Sequence, residues 1–271
     1  MGGFARRMSY WKAFAKKYPS VPFLRVDGGS IFVNGVAEAP VLNRWTLEGT
    51  YRCGLDALNL SAWDLPVWQE MADLTAAGQI PKEFLDVPLV SANVTAKLPN
   101  FPRLQRYVIK EHSIASGNRV RIGVTGLLYD PQERISRSEF EIRDPQAAVR
   151  QVMEEIRDKT DYRVVLTDMD IGKAMSLAIV VPGIDLLLVA HNYEVASEPQ
   201  QVGDTLVVIP VNEGRMFSEV RMNFGPAAGR AQLVTRFVPL DRTVPDDPEM
   251  GELVRKAQAE MEDLRKGKSL H

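Results

Sequence analysis

The most regular apolar patterning in the chain lies between residues 161 and 193, DYRVVLTDMDIGKAMSLAIVVPGIDLLLVAHNY. Residues 163–167 form a short β-branched run, 171–181 a helical stretch, and 184–189 a second apolar run with no polar alternation. Strands that do not alternate are buried on both faces, so two of them joined by a helix predict a parallel pair in a sheet covered on each side. The crossover is expected to be right-handed. Open α/β sheets bind ligands beyond the carboxyl ends of their strands. The two runs end at Thr167-Asp168 and at Ala190-His191-Asn192-Tyr193, which is where a site is expected.

Before this unit, residues 4–18 have helical periodicity, with Phe4, Met8, Trp11, Ala15 and Tyr18 on one face and Arg6, Arg7, Lys12, Lys16 and Lys17 largely on the other. The basic face reads as a solvated one, with an anionic partner as the alternative. Residues 23–26 read as a strand leading into Asp27-Gly28-Gly29-Ser30, and 49–54 as a helical turn carrying Cys53. Residues 57–60 are a strand, and a helical stripe through Trp68, Met71, Ala72 and Thr75 follows it. Asp64 stands as the N-cap of that stripe, with Pro66 in its first turn. Residues 87–94 are a further strand. Residues 105–112 and 119–126 predict a hairpin across Ser116-Gly117-Asn118, and 127–141 read as a loop. Asp144-Pro145 opens a helix with apolar positions at Val149, Val152, Met153 and Ile156. Residues 206–211, 217–224 and 232–238 alternate as strands, and Asp246-Asp247-Pro248 opens a final amphipathic helix.

Composition narrows the function classes. A chain of 271 residues can bury roughly 75% of its unfolded surface. With a formal net charge of −2, nothing in the total charge draws it to nucleic acid or a membrane surface. No apolar run approaches the roughly 20 residues of a membrane span, and no signal peptide is visible. A single cysteine excludes an internal disulfide framework. Only three histidines are present, too few for a histidine-rich metal centre. Nucleophilic catalysis has no G-x-S-x-G to rest on, and Gly28-Gly29 is too short to be a phosphate loop.

Asp27, Asp64, Asp168, Asp170 and His191 all fall at or near strand ends. Carboxylates with one histidine are donors suited to a single Mg²⁺ or Mn²⁺ ion. The competing reading is structural: Asp170 precedes Ile171 as a natural helix cap, and capping likewise explains Asp64.

These segments, in this order, resemble the calcineurin-like metallophosphoesterases, and more closely their 5'-nucleotidase branch. The resemblance runs from GGFARR at Gly2 to about Asp247. It implies an α/β fold, an αββα sandwich of two mixed sheets flanked by helices, as one domain over residues 1–247 with an amphipathic helix and tail over 248–271. It also implies a dinuclear metal site, and here this chain departs from the family pattern. Ser30 stands where the family has a bridging aspartate. Ala62 and Trp63 stand where it has a metal-binding asparagine and a catalytic histidine. Asp168 and Tyr193 replace two further ligands, leaving His191 as the one match. A D-x-H strand that lies within the family's sheet would precede Gly2.

Two-metal catalysis needs cations roughly 3.5–4 Å apart, and losing even one supporting group costs about 10–100-fold. The expectation is therefore a catalytically degenerate relative with no cofactor, acting as a binding or structural subunit through a protein partner or self-association. The alternative is a phosphoesterase with a rebuilt single-metal site. The remnant pocket would comprise Ser30, Trp63, Asp168, His191, Asn192 and Tyr193. As written the chain reads as cytoplasmic, and as periplasmic or secreted if its N-terminus is incomplete.

Overall fold

The computed structural model describes residues 2–114, 117–133, 135–190, 197–210, 214–223 and 232–268. Helix α1 (Phe4–Lys17) leads to β1 (Val26–Asp27), α2 (Ala39–Cys53), β2 (Ala57–Asn59), α3 (Leu65–Ala76) and β3 (Leu89–Val90). Then come β4 (Val94–Ala96), β5 (Leu104–Gln105), β6 (Val108–Ser113), β7 (Arg119–Leu127), β8 (Phe140–Ile142) and α4 (Pro145–Ile156). The second half contains β9 (Tyr162–Thr167), α5 (Ile171–Val180), β10 (Leu186–Val189), β11 (Ser197–Val202), β12 (Thr205–Ile209), β13 (Met216–Asn223), β14 (Gln232–Pro239) and α6 (Pro248–Lys268).

The β9–α5–β10 unit is the parallel pair expected, in the register Val164 opposite Leu186 through Thr167 opposite Val189. Its lack of alternation has the expected cause. Val164 and Leu166 face one apolar layer while Val165 faces another. The strands form a sheet in the order β11-β12-β10-β9-β7-β6, whose core is parallel and whose two outer strands are antiparallel. A second sheet, β1-β2-β3-β5, is parallel throughout, so only the larger sheet is mixed. Ala57 and Val90 of the smaller sheet meet Val124, Val164, Leu166 and Val208 of the larger one in a shared core. Leu47 of α2 and Trp68 and Met71 of α3 cover the outer face of the small sheet. Val149 and Val152 of α4 and Ala174 and Leu177 of α5 cover that of the large sheet. The four layers make an αββα sandwich.

Several local expectations need correction. The run at 23–26 contributes only Val26 to a strand, and β1 continues into Asp27. Residues 49–54 are the end of a full helix, α2, closed by Gly54 at φ 59°; Asn43, Gly49 and Thr50 on its buried side interrupt the apolar period and hide it from pattern reading. Residues 87–94 split into β3 and β4, and residues 127–141 contain the start of β8, which pairs with β4. The strand expected at 206–211 joins the large sheet beside β10, whereas β13 and β14 pair with each other as a separate ribbon.

The basic face of α1 is also not simply solvated. Arg6 pairs with Asp246 at 3.4 Å, Arg7 with Asp27 at 3.2 Å and Lys12 with Asp247 at 2.6 Å. Asp247 caps α6 by accepting from Met250 N. Met250 and Leu253 then pack with Ala5 and Cys53, while Arg44 and Trp45 of α2 both bond Glu260. Helix α6 is thus docked along α1 and α2. No helix among the described residues is long and apolar enough to cross a membrane.

Candidate functional site

The carboxyl ends of β1, β2 and β9 converge on one region, as the βα topology requires. Strand β2 runs into Ser61-Ala62-Trp63-Asp64 and β9 into Asp168, while β1 ends at Asp27 before the Gly28-Gly29-Ser30 turn. Asp27, Asp64 and Asp168 therefore do lie at strand ends, each already engaged.

Asp64 is fully buried. It occupies the N-cap position of α3, but its backbone is helical, at φ −82° and ψ −20°, and its side chain makes no capping bond. The capping interpretation is therefore wrong. A helical backbone turns the carboxylate away from the amides of its own helix, and it instead accepts from Ile31 N at 3.1 Å and Phe32 N at 3.0 Å. Ser61 Oγ completes this cradle, accepting from Ser30 N at 3.1 Å and Asp64 N at 3.2 Å. Asn43 clamps the next residue, accepting from Val33 N and donating to Val33 O, each at 2.9 Å. Burial pushes the Asp64 carboxyl up to about 6, with the amide bonds opposing it.

Asp168 keeps a solvent-facing edge but is otherwise enclosed. Its Oδ1 accepts from Tyr129 N at 3.2 Å, and the carboxylate also accepts from the Ala62 backbone. It thus ties the β2–α3 turn of one sheet to the end of β7 in the other. Burial raises its pKa to about 7, and the nearby Asp64 charge adds to the rise. Asp27 accepts from Gly29 N at 3.2 Å and pairs with Arg7.

The remaining expected residues separate. Asp170 caps α5, accepting from Lys173 N at 2.9 Å, and takes the structural role. Ser30 is exposed at φ 59° and contributes its backbone N–H to the cradle. Ala62 packs against the core beneath α3. The Trp63 indole donates to Phe32 O at 3.0 Å and is 50% exposed. His191, Asn192 and Tyr193 lie outside the described residues. Among the described residues no three His, Cys, Asp or Glu side chains are grouped to hold a metal ion.

Pattern reading passed over Asn59. It is completely buried, and its Nδ2 donates to Gly28 O at 3.1 Å and Leu127 O at 3.3 Å, joining the two sheets under the site. An amide inside the apolar run Ala57–Leu-Asn-Leu was the available signal, since a buried amide is retained only where it has partners.

The pair of raised carboxyls has a consequence for pH. A group whose folded pKa lies above its unfolded value binds more protons in the folded state. Its contribution is complete below the unfolded value and disappears as pH rises through the folded one. For Asp64 and Asp168 that window runs from their ordinary 3.8 to about 6 and about 7. Urea midpoints are therefore expected to fall as pH rises from about 5 to about 8, by roughly 1–3 kcal/mol in stability. Asp168→Asn should flatten the upper part of this slope, and an unchanged slope would remove Asp168 as its cause.

No protein-family model and no curated protein matches the sequence. Solved structures match along nearly its whole length. Sulfate thiohydrolase SoxB of Thermus thermophilus superposes with a TM-score of 0.78 at 18% identity, over 97% of this chain and 48% of that one. A 5'-nucleotidase precursor, also of Thermus thermophilus, gives 0.74 at 18% identity, over 97% and 54% of the two chains. The NAD nucleotidase of Haemophilus influenzae gives 0.71 at 14% identity, over 97% and 62%. The chain thus spans about half to three fifths of the length of these proteins. At such identities the likeness is one of fold, and the fold is that of the calcineurin-like metallophosphoesterases in their 5'-nucleotidase form.

Proposed function

We propose that this chain is a non-catalytic representative of the metallophosphoesterase fold, serving as a binding or structural subunit. The fold family implies two metal ions, and the described residues do not fit them. The observation that carries the reading is the state of the strand-end carboxylates. Both Asp64 oxygens hold backbone amides, Asp168 bridges the Ala62 and Tyr129 amides, and Asp27 is neutralised by Arg7. Each carboxylate thus holds another part of this chain in place instead of standing open to a cation. A cation would have to displace these bonds, each worth about 1.5–3 kcal/mol when one partner is charged. Trp63, which the family resemblance sets at the position of the catalytic histidine, cannot protonate a leaving group, because an indole N–H is a hydrogen-bond donor and not a titratable acid; here it donates to Phe32 O.

The partner surface we assign is the open side of β1. This strand has β2 as its only strand neighbour among the described residues. Leu24 and Val26 there, with Val220, Met222 and Phe237 of the β13–β14 ribbon, are only half-buried against the inter-sheet core. Open edges next to apolar surface recruit another strand. The other reading, a single Mn²⁺ or Mg²⁺ ion, is favoured by the solvent-facing edge of Asp168.

Metal analysis after incubation with Mn²⁺ and dialysis, with assays on nucleoside monophosphates and generic phosphoesters, decides between them. The expected result is metal well below one equivalent and hydrolysis at the uncatalysed rate. One equivalent with turnover abolished in Asp168→Ala would establish the single-ion reading, and about two equivalents with turnover would defeat the proposal outright. Light scattering across a concentration range tests the partner surface. A monomer at all concentrations, with amide exchange at Val26 as slow as in β2, would leave β1 no role in association.

A further inference from the structure

We propose that the depression between residues 32–38 and the last turns of α6 binds a small planar aromatic acid. The proposal goes beyond the non-catalytic reading and stands whether or not the strand-end site holds metal. Phe32, Val33, Val36, Trp63, Met261 and Arg265 line a volume of about 440 Å³. Val33, Val36 and Trp63 are among the few large apolar side chains that the described surface exposes, and all three meet here. Scattered apolar residues on a surface need no explanation, but a cluster in a concavity marks a binding site.

The walls are held in place by bonds between side chains and the main chain. Asp64 holds Ile31 and Phe32, Asn43 holds Val33, and Asn34 Nδ2 donates to Trp63 O at 2.9 Å. Such a concavity costs little further ordering when it is filled. Size selects the class of occupant. Small-molecule pockets run from roughly 300 to 1,000 Å³, whereas a protein partner needs about 800 Å² on each side, far more than this depression offers.

Chemistry selects the rest. The Trp63 N–H is already bonded, so its indole presents only a π face, and flat rings stack on such a face for about 1–3 kcal/mol each. At the rim, Arg265 engages Glu38 through Nε at 3.3 Å and is 63% exposed. Its terminal amines, among the described residues, face no other carboxylate, and a guanidinium edge suits a carboxylate in two parallel bonds. Glu38 opposes such a ligand by like charge.

Calorimetric titration with 2-naphthoate tests this. Saturable one-to-one binding is expected. Trp63→Ala should weaken it about tenfold or more, and Trp63→Phe, which keeps a flat ring, by less than about threefold. Arg265→Gln should weaken it roughly three- to tenfold, and Glu38→Gln should tighten it. Arg265 is on the surface, so its variant should melt as the parent does, whereas Trp63→Ala also gives up the bond to Phe32 O and should melt somewhat lower. If Trp63→Ala fails to fold, the Arg265→Gln and Glu38→Gln pair still carries the test through its opposite signs. Absent or unsaturable binding would overturn the proposal, as would equal binding of the non-planar cyclohexanecarboxylate, or binding indifferent to both Trp63→Ala and Arg265→Gln. So would burial of Trp63 in a dimer that excludes the ligand.

Discussion

Gly126→Ala is expected to destabilise the protein by about 3 kcal/mol or more. Gly126 lies in β7, opposite Leu166 of β9, where the two sheets approach each other. A Cβ there would stand 2.2 Å from Asn59 Oδ1 and 2.4 Å from Val90 O. Neither neighbour can give way at low cost. Val90 O belongs to β3 and accepts from Leu60 N at 3.2 Å, and Asn59 is fixed by its bonds to Gly28 O and Leu127 O. Relief would require the sheets to separate, and overpacking of a closed core typically costs about 1–3 kcal/mol even where rearrangement is easier. The measurement is the urea midpoint and slope of the variant. Gly267→Ala is the control of opposite sign: a Cβ at Gly267 meets nothing within 4 Å, and alanine in a helix gains up to about 1 kcal/mol over glycine. A Gly126→Ala midpoint within error of the parent would mean that the sheets do not pack as closely as described.

The second large effect is expected at Asp64. Removing its carboxylate in Asp64→Ala leaves the Ile31 and Phe32 amides without their acceptor, and Phe32 is buried. An orphaned buried amide costs about 1–3 kcal/mol, so the pair would cost roughly 2–5 kcal/mol. Loss of a buried charge offsets part of this, since burial is what raises the Asp64 carboxyl. A net loss of about 2–4 kcal/mol is therefore expected near neutral pH. Asp64→Asn retains one acceptor and no charge and should lose about half as much. Because Phe32 O is the acceptor for the Trp63 indole, Asp64→Ala should also make Trp63 fluorescence more accessible to acrylamide. A capping role would predict something else: fraying of α3 alone, with the 30–33 segment and Trp63 undisturbed. Amide exchange at Ile31 and Phe32 separates the two outcomes.

These effects bear on how the two sheets are held together at their strand ends. In the strand-end region, Asp64 joins β2 to the segment after β1, Asp168 joins it to the end of β7, and Asn59 joins β1 and β7. Three side chains on two strands thus link both sheets through main-chain groups. Their partners are backbone atoms from segments distant in sequence, so removing any one of these side chains would loosen the junction between the sheets.

Whatever rests on local periodicity and local capping could be read from the chain alone. The unalternating runs that became β9 and β10, the Asp144-Pro145 start of α4 with its bond from Ala147 N, the Asp170 cap of α5 and the β6–β7 hairpin were all legible. Whatever depends on partners far along the chain emerged only in three dimensions. Asp64 and Asp170 both precede a helix and look alike in sequence, yet Asp170 caps and Asp64 does not. The difference is backbone geometry, extended at Asp170 with φ −62° and ψ 154° but helical at Asp64, and a loop more than 30 residues upstream that presents its amides to Asp64. The two-residue strands β1 and β3 carry too few positions for any period to register, and the sheet that β12 joins is set by which edge β10 leaves open. Periodicity states which face of a segment is buried; which distant segment covers that face is settled only when the layers pack.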